Sequence, residues 1–440
     1  MKLLFILPSV GRNPNQSYVK TWQMEPLSIA ILSAMTPKGI HKIFIDDRLE
    51  SIPYDIDIDA VAISVETYTA LRSYHIAEQF RARGKKVIMG GFHATLQTEE
   101  VQEHADCVVK GNAETVWPQL CDDLQSNNLK SLYTGQDAEF KGIMADRSIY
   151  SQKKYTPLTL IETGRGCPFT CGFCSITAFS NHKYCARPID AVVKEIKELR
   201  AKTVFFIDDN MAVDMERTRQ LLIEIAKCKI RWCGQVSLNT AQHPEILALM
   251  RKSGCMGVLI GFESLNDNNL KSMGKNVNRR FQSYADAIKV FRDNGLALYG
   301  TFMFGYDYDT LESFDETYKL VVGQKLFFAA FNHVVPFPGT PLFETLKYEN
   351  RLLHSKWWLD KTYRFGDMAF QPKNFTPDQL TEKCLEYRRK FYSVKSILYR
   401  ATDFKANCSS PFMSTLFLIQ NAIARRDVER RQYMRLGEGP

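Results

Sequence analysis

Short apolar, β-branched runs alternate with helix-compatible stretches in two separate blocks of this chain, and that pattern leaves few architectures open. In the first block, KLLFIL (Lys2 to Leu7), HKIFID (His41 to Asp46), AVAISV (Ala60 to Val65), KKVIMGG (Lys85 to Gly91) and CVVKG (Cys107 to Gly111) are hydrophobic at nearly every position. Strands of that composition must be covered on both faces, which predicts an open, doubly wound parallel sheet. The helical stretch SYHIAEQFRARG between two of them ends on a C-cap glycine, Gly84. Such sheets take ligands beyond the carboxyl ends of their strands. A polar segment from Gln125 to Pro157 reads as linker.

The alternation restarts at Leu158 with six strand candidates: LTLIETG, TVFFIDD (Thr203 to Asp209), IRWCGQVSL (Ile230 to Leu238), MGVLIGFES (Met256 to Ser264), ALYGTFMFG (Ala297 to Gly305) and FFAAFNHVVP (Phe327 to Pro336). Between them, Ile189, Val192, Val193, Ile196 and Leu199 mark one apolar helix face after Pro188, and Phe281, Tyr284, Ile288 and Phe291 mark another before Asn294-Gly295. Six βα units predict a partial (β/α)6 TIM-like barrel with its site at the carboxyl ends of the strands. After Phe343 the pattern turns mainly helical. The expected α/β organisation is therefore a doubly wound domain over 1–140, a partial barrel over 150–345 and a helical, substrate-facing region over 346–440. Leu3 to Leu7 is too short for a secretion signal, and no apolar run approaches the roughly eighteen residues of a membrane span, so a cytoplasmic protein is expected. The net charge of +8 is spread out; it suits an anionic substrate, cofactor or membrane surface, and no nucleic acid is expected.

The chemistry concentrates in IETGRGCPFTCGFCS, Ile161 to Ser175, which places Cys167, Cys171 and Cys174 on a glycine-rich loop directly after a strand. Eleven cysteines in a reducing compartment are not a disulfide framework, and a tight group there points to a metal or to catalysis. A zinc ion wants a fourth ligand, for which His182 and Cys185 are the only nearby candidates. Three thiolates alone suit a four-iron-four-sulfur cluster with one open iron.

This C-x3-C-x2-C spacing, with Phe173 before the last cysteine and a βα array around it, resembles the radical S-adenosylmethionine superfamily. The resemblance implies a [4Fe-4S] cluster on Cys167, Cys171 and Cys174 that binds S-adenosyl-L-methionine and cleaves it to a 5'-deoxyadenosyl radical. It also implies cofactor contacts from Phe173 near the adenine, from Asp208 and Asp209 where Gly-Gly-Glu is common, from Gln235, Ser237 and Asn239 at the third strand end, and from Glu263 and Ser264 at the fourth. PFPGTPLF (Pro336 to Phe343) is similar to a closing loop of the branch with an N-terminal cobalamin domain.

The first block resembles that Rossmann-like cobalamin-binding half. The matching positions are Ser64 and Val65, then Gly90, Gly91, Phe92 and His93 of GGFHAT, then Gly111, Asn112 and Glu114 of GNAE. No G-x-G-x-x-G follows the first strand, which argues against a dinucleotide. Asp-x-His-x-x-Gly is also missing, so the resemblance implies cobalt without a histidine lower ligand, with His93 the remaining candidate. The leading expectation is a cobalamin-dependent radical enzyme that methylates an unactivated carbon of a small molecule or lipid, fed by an electron donor such as flavodoxin or ferredoxin. Alternatives are oxidation, cyclisation or rearrangement of a tetrapyrrole or lipid with the same cofactors, RNA methylthiolation, and a non-catalytic iron-sulfur or zinc protein. Trp357, Trp358, Tyr363, Phe365, Phe370 and Tyr387 are expected to present an aromatic surface to substrate. Pro411 to Arg426 reads either as a core helix or as an amphipathic helix making peripheral membrane contact.

Overall fold

The computed structural model describes residues 1–12, 23–136 and 142–438. Its first half is a six-stranded, all-parallel sheet: β1 (Lys2–Leu7), β2 (His41–Asp46), β3 (Ala60–Ser64), β4 (Lys86–Gly90), β5 (Cys107–Lys110) and β6 (Leu132–Thr134). They lie in the order β2-β1-β3-β4-β5-β6, so the winding direction reverses between β1 and β3. Alternation within β1 explains its unbroken apolar run. Leu4 and Ile6 enter one buried layer, while Leu3 and Phe5 enter the other with Trp117. The sixth strand falls inside the stretch expected to be linker; it has three residues and only its central Tyr133 is buried.

The second half is a sequentially ordered open sheet of six parallel strands: β7 (Thr159–Ile161), β8 (Thr203–Phe206), β9 (Arg231–Gln235), β10 (Cys255–Glu263), β11 (Ala297–Phe304) and β12 (Phe328–His333). Every strand candidate of the second block is present, and among the described residues no strand pairs with the outer edges of β7 and β12, as a partial barrel requires. The expected helices follow: Ile189–Glu198 after Pro188, and Tyr284–Asp293 with Asn294 as its C-cap.

The C-terminal region is helical, with Pro377–Phe391, Val394–Ala401 and Pro411–Arg430, but it is divided between the two cores. Trp357, Trp358 and Tyr363 are buried against the first sheet, whereas Phe370, Tyr387 and Phe391 are buried against the barrel. The aromatic surface expected for substrate is therefore largely interior: these rings cover apolar layers that neither sheet covers by itself. Arg435–Leu436 returns to pair antiparallel with Gly11–Arg12, joining the end of the described chain to its beginning. Among the described residues, no helix is long and apolar enough to cross a membrane.

Candidate active site

The cysteine loop is held by backbone geometry. After β7, Gly164–Gly166 pairs antiparallel with Tyr184–Ala186 and closes the loop into a hairpin. A side chain at Gly166, where φ is +86°, would meet the carbonyl of Lys183 at 2.1 Å, so only glycine allows the turn. The Gly172 amide donates to Met273 O at 2.9 Å, and Leu342 N donates to Gly172 O at 2.9 Å, which ties the loop to the segments after β10 and β12. Cys171 is buried and the other two thiols are half-buried. Burial pushes Cys171 up to about 11, and its neighbours Cys174 and Cys167 add to that; Lys275 pulls the other way. Cys167 is raised for the same reasons, with Cys174 close enough to contribute. Among the described residues, no three His, Cys, Asp or Glu side chains are gathered to hold a single metal ion.

The strand ends beside this loop carry a connected polar row. Asp208 takes hydrogen bonds from the amide and hydroxyl of Thr163 at 2.7 and 2.5 Å, and burial pushes its carboxyl up to about 7. Asp209, raised mainly by burial, accepts from the Gly166 amide at 2.8 Å. Gln235 Nε2 donates to the Asp209 carbonyl at 2.9 Å. Ser237 receives Asn210 Nδ2 at 3.1 Å and donates to Asn239 Oδ1 at 2.5 Å. Glu263 stands apart in its backbone: φ is +65° and the β10–β11 register slips between Gly261 and Glu263. A bulge with a non-glycine residue in the left-handed region is strained and aims a side chain deliberately. That buried carboxylate, raised by burial, lies 3.3 Å from the Lys275 ammonium. Ser264 is occupied locally, accepting from Asn266 N at 3.1 Å, and Phe173 packs on the barrel core.

A cavity of about 510 Å³ joins the carboxyl ends of the two sheets. One wall is Ser64, Gly90, Gly91, Phe92, Gly111, Asn112 and Glu114; the other includes Glu162, Arg165, Gly166 and Asp209. Backbone approaches explain the glycines: a Cβ on Gly91 (φ +112°) would lie 2.8 Å from Val65 O, and one on Gly111 (φ +77°) 2.8 Å from Gly135 O. Val65 and His93 do not line it. Val65 supports the wall from behind, its amide on Gly90 O at 2.7 Å and its carbonyl taking the His93 amide at 3.0 Å. The His93 ring is fully buried, with Nε2 3.1 Å from Glu100 and Nδ1 3.3 Å from Thr67, and Trp358 in a T-shaped contact with it. Both nitrogens are engaged inside a core, which removes His93 from the ligand-facing positions.

Three charged residues of the site were invisible to motif reading. Arg165 bridges the halves, donating to Asn112 and Glu162 and pairing with Glu114 at 2.9 Å. Lys275 accompanies the cysteines and Glu263. Glu66 reaches the cavity from the loop after β3; the surrounding chain raises its carboxyl to about 7 although its surface is open to the cavity. The only sequence signal for Glu66 was a lone charge directly after a buried strand.

Residues 161–321 match the Radical SAM superfamily. The chain is 33% identical over 389 residues to the bacteriochlorophyllide d C-12(1)-methyltransferase of Chlorobaculum tepidum, across 85% of this chain and 84% of that protein. It is 29% identical over 396 residues to the bacteriochlorophyllide d C-8(2)-methyltransferase of the same organism, across 85% and 87%. Among solved structures, the cobalamin-dependent S-adenosylmethionine radical enzyme OxsB, with aqua-cobalamin and S-adenosylmethionine bound, shares the fold. Its TM-score is 0.66 at 12% identity, over 97% of this chain and 71% of that one.

Proposed function

Because this chain belongs to the cobalamin-dependent radical S-adenosylmethionine enzymes, we propose that it is a C-methyltransferase whose substrate is a tetrapyrrole. The carrying observation is the single cavity shared by both sheet ends: the glycine wall of the first half faces Arg165, Gly166 and Asp209, which adjoin the cysteine loop. When bound, the cluster supplies an electron, S-adenosylmethionine a 5'-deoxyadenosyl radical and the corrinoid a methyl group.

The residues present fit those groups. Cys167, Cys171 and Cys174 would hold the cluster; thiols must lose protons to ligate, and for Cys167 and Cys171 Lys275 is the nearby cation that offsets burial. The half-buried Asp209 and the buried Glu263 are carboxylates suited to an ammonium group, and Gln235, Ser237 and Asn239 supply neutral donors and acceptors on the neighbouring strand end. Ser64, Gly90, Gly91, Gly111 and Asn112 offer close backbone approach, as a broad corrin needs. Phe5, Ile29, Leu32, Trp117 and Phe179 line the same cavity and keep water from a reactive carbon. The tetrapyrrole assignment rests on the named substrate of the 33% identical relative. A small acidic electron carrier, flavodoxin or ferredoxin in kind, suits the +8 net charge, and the reducing cytoplasm suits eleven cysteines that form no disulfide.

The test is anaerobic turnover of the reconstituted protein with a bacteriochlorophyllide and methyl-labelled S-adenosylmethionine. Label in the pigment is expected, with S-adenosylhomocysteine and 5'-deoxyadenosine both accumulating. Deoxyadenosine alone, with no label in the pigment, would replace methyl transfer by oxidation or cyclisation.

A further inference from the structure

The helices Val394–Ala401 and Pro411–Arg430 form a plate whose inner side is fixed and whose outer side is apolar. Inside, Phe417 meets the Phe327 ring at 5.1 Å, and Met413, Ile397 and Ala297 complete a small core. The buried Arg400 guanidinium donates to the carbonyls of Leu326, Phe327 and Phe391 and to Asn421 Oδ1, at 2.9 to 3.1 Å. Ala297 opens β11 and Phe327 precedes β12, so the plate covers the amino ends of the barrel strands, opposite the cysteine loop. Arg231, which opens β9, stacks on Phe412 at 4.3 Å.

Outside, Val394, Leu398, Tyr399, Phe404, Leu418 and Ile419 are exposed, Phe404 to 76% and Leu398 to 60%. Apolar side chains gathered at this density on a rigid face mark a docking surface. The exposed charges among them that carry the face are cationic, Lys395, Arg425 and Arg426, while Lys405 is paired with Asp293 at 2.6 Å. The acids of the plate are neutralised or buried. Asp403 is buried against Arg292, Asp427 is buried, and Glu429 pairs with Arg389. A second copy docked about a twofold axis would bring these cations against one another. An anionic lipid surface matches them, with the apolar residues entering the headgroup boundary and the cations among phosphates.

We propose that this plate is a peripheral membrane-docking face for anionic bilayers. It holds the enzyme by the base of its barrel and leaves the cavity on the side away from the lipid, so the face moors the protein without serving as the substrate's entrance. The inference stands on these two helices and is independent of the methyl-transfer reading.

The test is co-sedimentation of the full-length holoenzyme with vesicles of phosphatidylcholine alone or mixed with phosphatidylglycerol. Binding is expected only to the mixed vesicles and should weaken with salt. Leu418→Gln with Ile419→Gln should abolish it, Lys395→Gln with Arg425→Gln should weaken it roughly thirtyfold, and Leu311→Gln, an exposed apolar change elsewhere, should leave it intact. All three variants alter exposed side chains, and circular dichroism checks that they fold. Failure of the wild type to bind mixed vesicles at low salt would overturn the proposal. So would binding that survives both double variants, or a dimer in solution that Leu418→Gln with Ile419→Gln dissociates.

Discussion

The two sheets build their ligand walls in opposite ways. The first uses backbone: Gly91 and Gly111 in left-handed conformations, Gly90 and Ser64, with few charges beyond Glu66 and Glu114. The barrel uses side chains: three thiols, two adjacent aspartates, Gln235 bonded to the Asp209 carbonyl, a Ser237–Asn239 pair and a strained Glu263 paired with Lys275. A wide, flat group needs the chain to come close over a large area, which small residues permit. A compact, highly charged group needs placed donors, acceptors and counter-charges. Burial therefore acts on conformation in the first half and on protonation in the second.

The sharpest way to break that contrast is to disable one wall and assay the other. Cys171→Ala should remove essentially all cluster iron and all activity while cobalamin binding persists; the half-buried Cys228, which only caps its helix near Glu224, should tolerate alanine. Iron analysis and the visible spectrum of the corrinoid read the two outcomes separately. If Cys171→Ala also lost cobalamin, the walls would not be separable.

A smaller effect is expected from Gly91→Ala. Its φ of +112° and the 2.8 Å approach to Val65 O make the added methyl cost about 1–3 kcal/mol of stability. Corrinoid retention should fall with iron content unchanged. Equal losses of both groups would mean that the glycine serves the fold as a whole.

The smallest effect concerns Glu66, the exception in the first wall. Its carboxyl, open to the cavity but hemmed in by the surrounding chain, is raised from the ordinary range to about 7, so the folded chain holds that proton more tightly than the unfolded chain does. Stability therefore declines as pH rises from about 4.5 to about 7 through this group, and the burden is complete above that range. In Glu66→Gln the burden is absent, so the melting-temperature difference from the parent should grow across that window in the variant's favour and level off above it. Asp208 and Asp309, also raised to about 7, keep their own dependence in both proteins, so the difference rather than either curve carries the test. A constant difference across pH would show that Glu66 is already solvated.

What the sequence disclosed follows from range. The cysteine triplet and the apolar strands are local patterns, and eleven of the twelve parallel strands were readable from them. β6 was not, because a three-residue edge strand with one buried position carries almost no periodicity. His93 is the remaining histidine candidate for cobalt by its place in GGFHAT, yet Phe92 lines the cavity while His93, one residue further on, turns into the core. Arg165 and Lys275 belong to no local motif, since only the fold brings Arg165 to Glu114 and Lys275 to Cys171. Trp357 and Trp358, expected to face substrate, are instead buried against the first sheet, because the apolar layer they cover lies more than two hundred residues away in the chain and leaves no local signal.

That last placement has a bearing on synthesis. The inner face of the first sheet is completed by Trp357, Trp358 and Leu436, and Trp358 Nε1 donates to Glu100 at 3.0 Å beside the Lys356 ion pair. On the ribosome the amino-terminal strands emerge first, but the side chains that seal them emerge after the whole barrel. The earliest sheet made is thus the last one finished, and its nascent form carries uncovered apolar surface throughout translation of the barrel, a window in which a chaperone or an early-arriving corrinoid has something to hold.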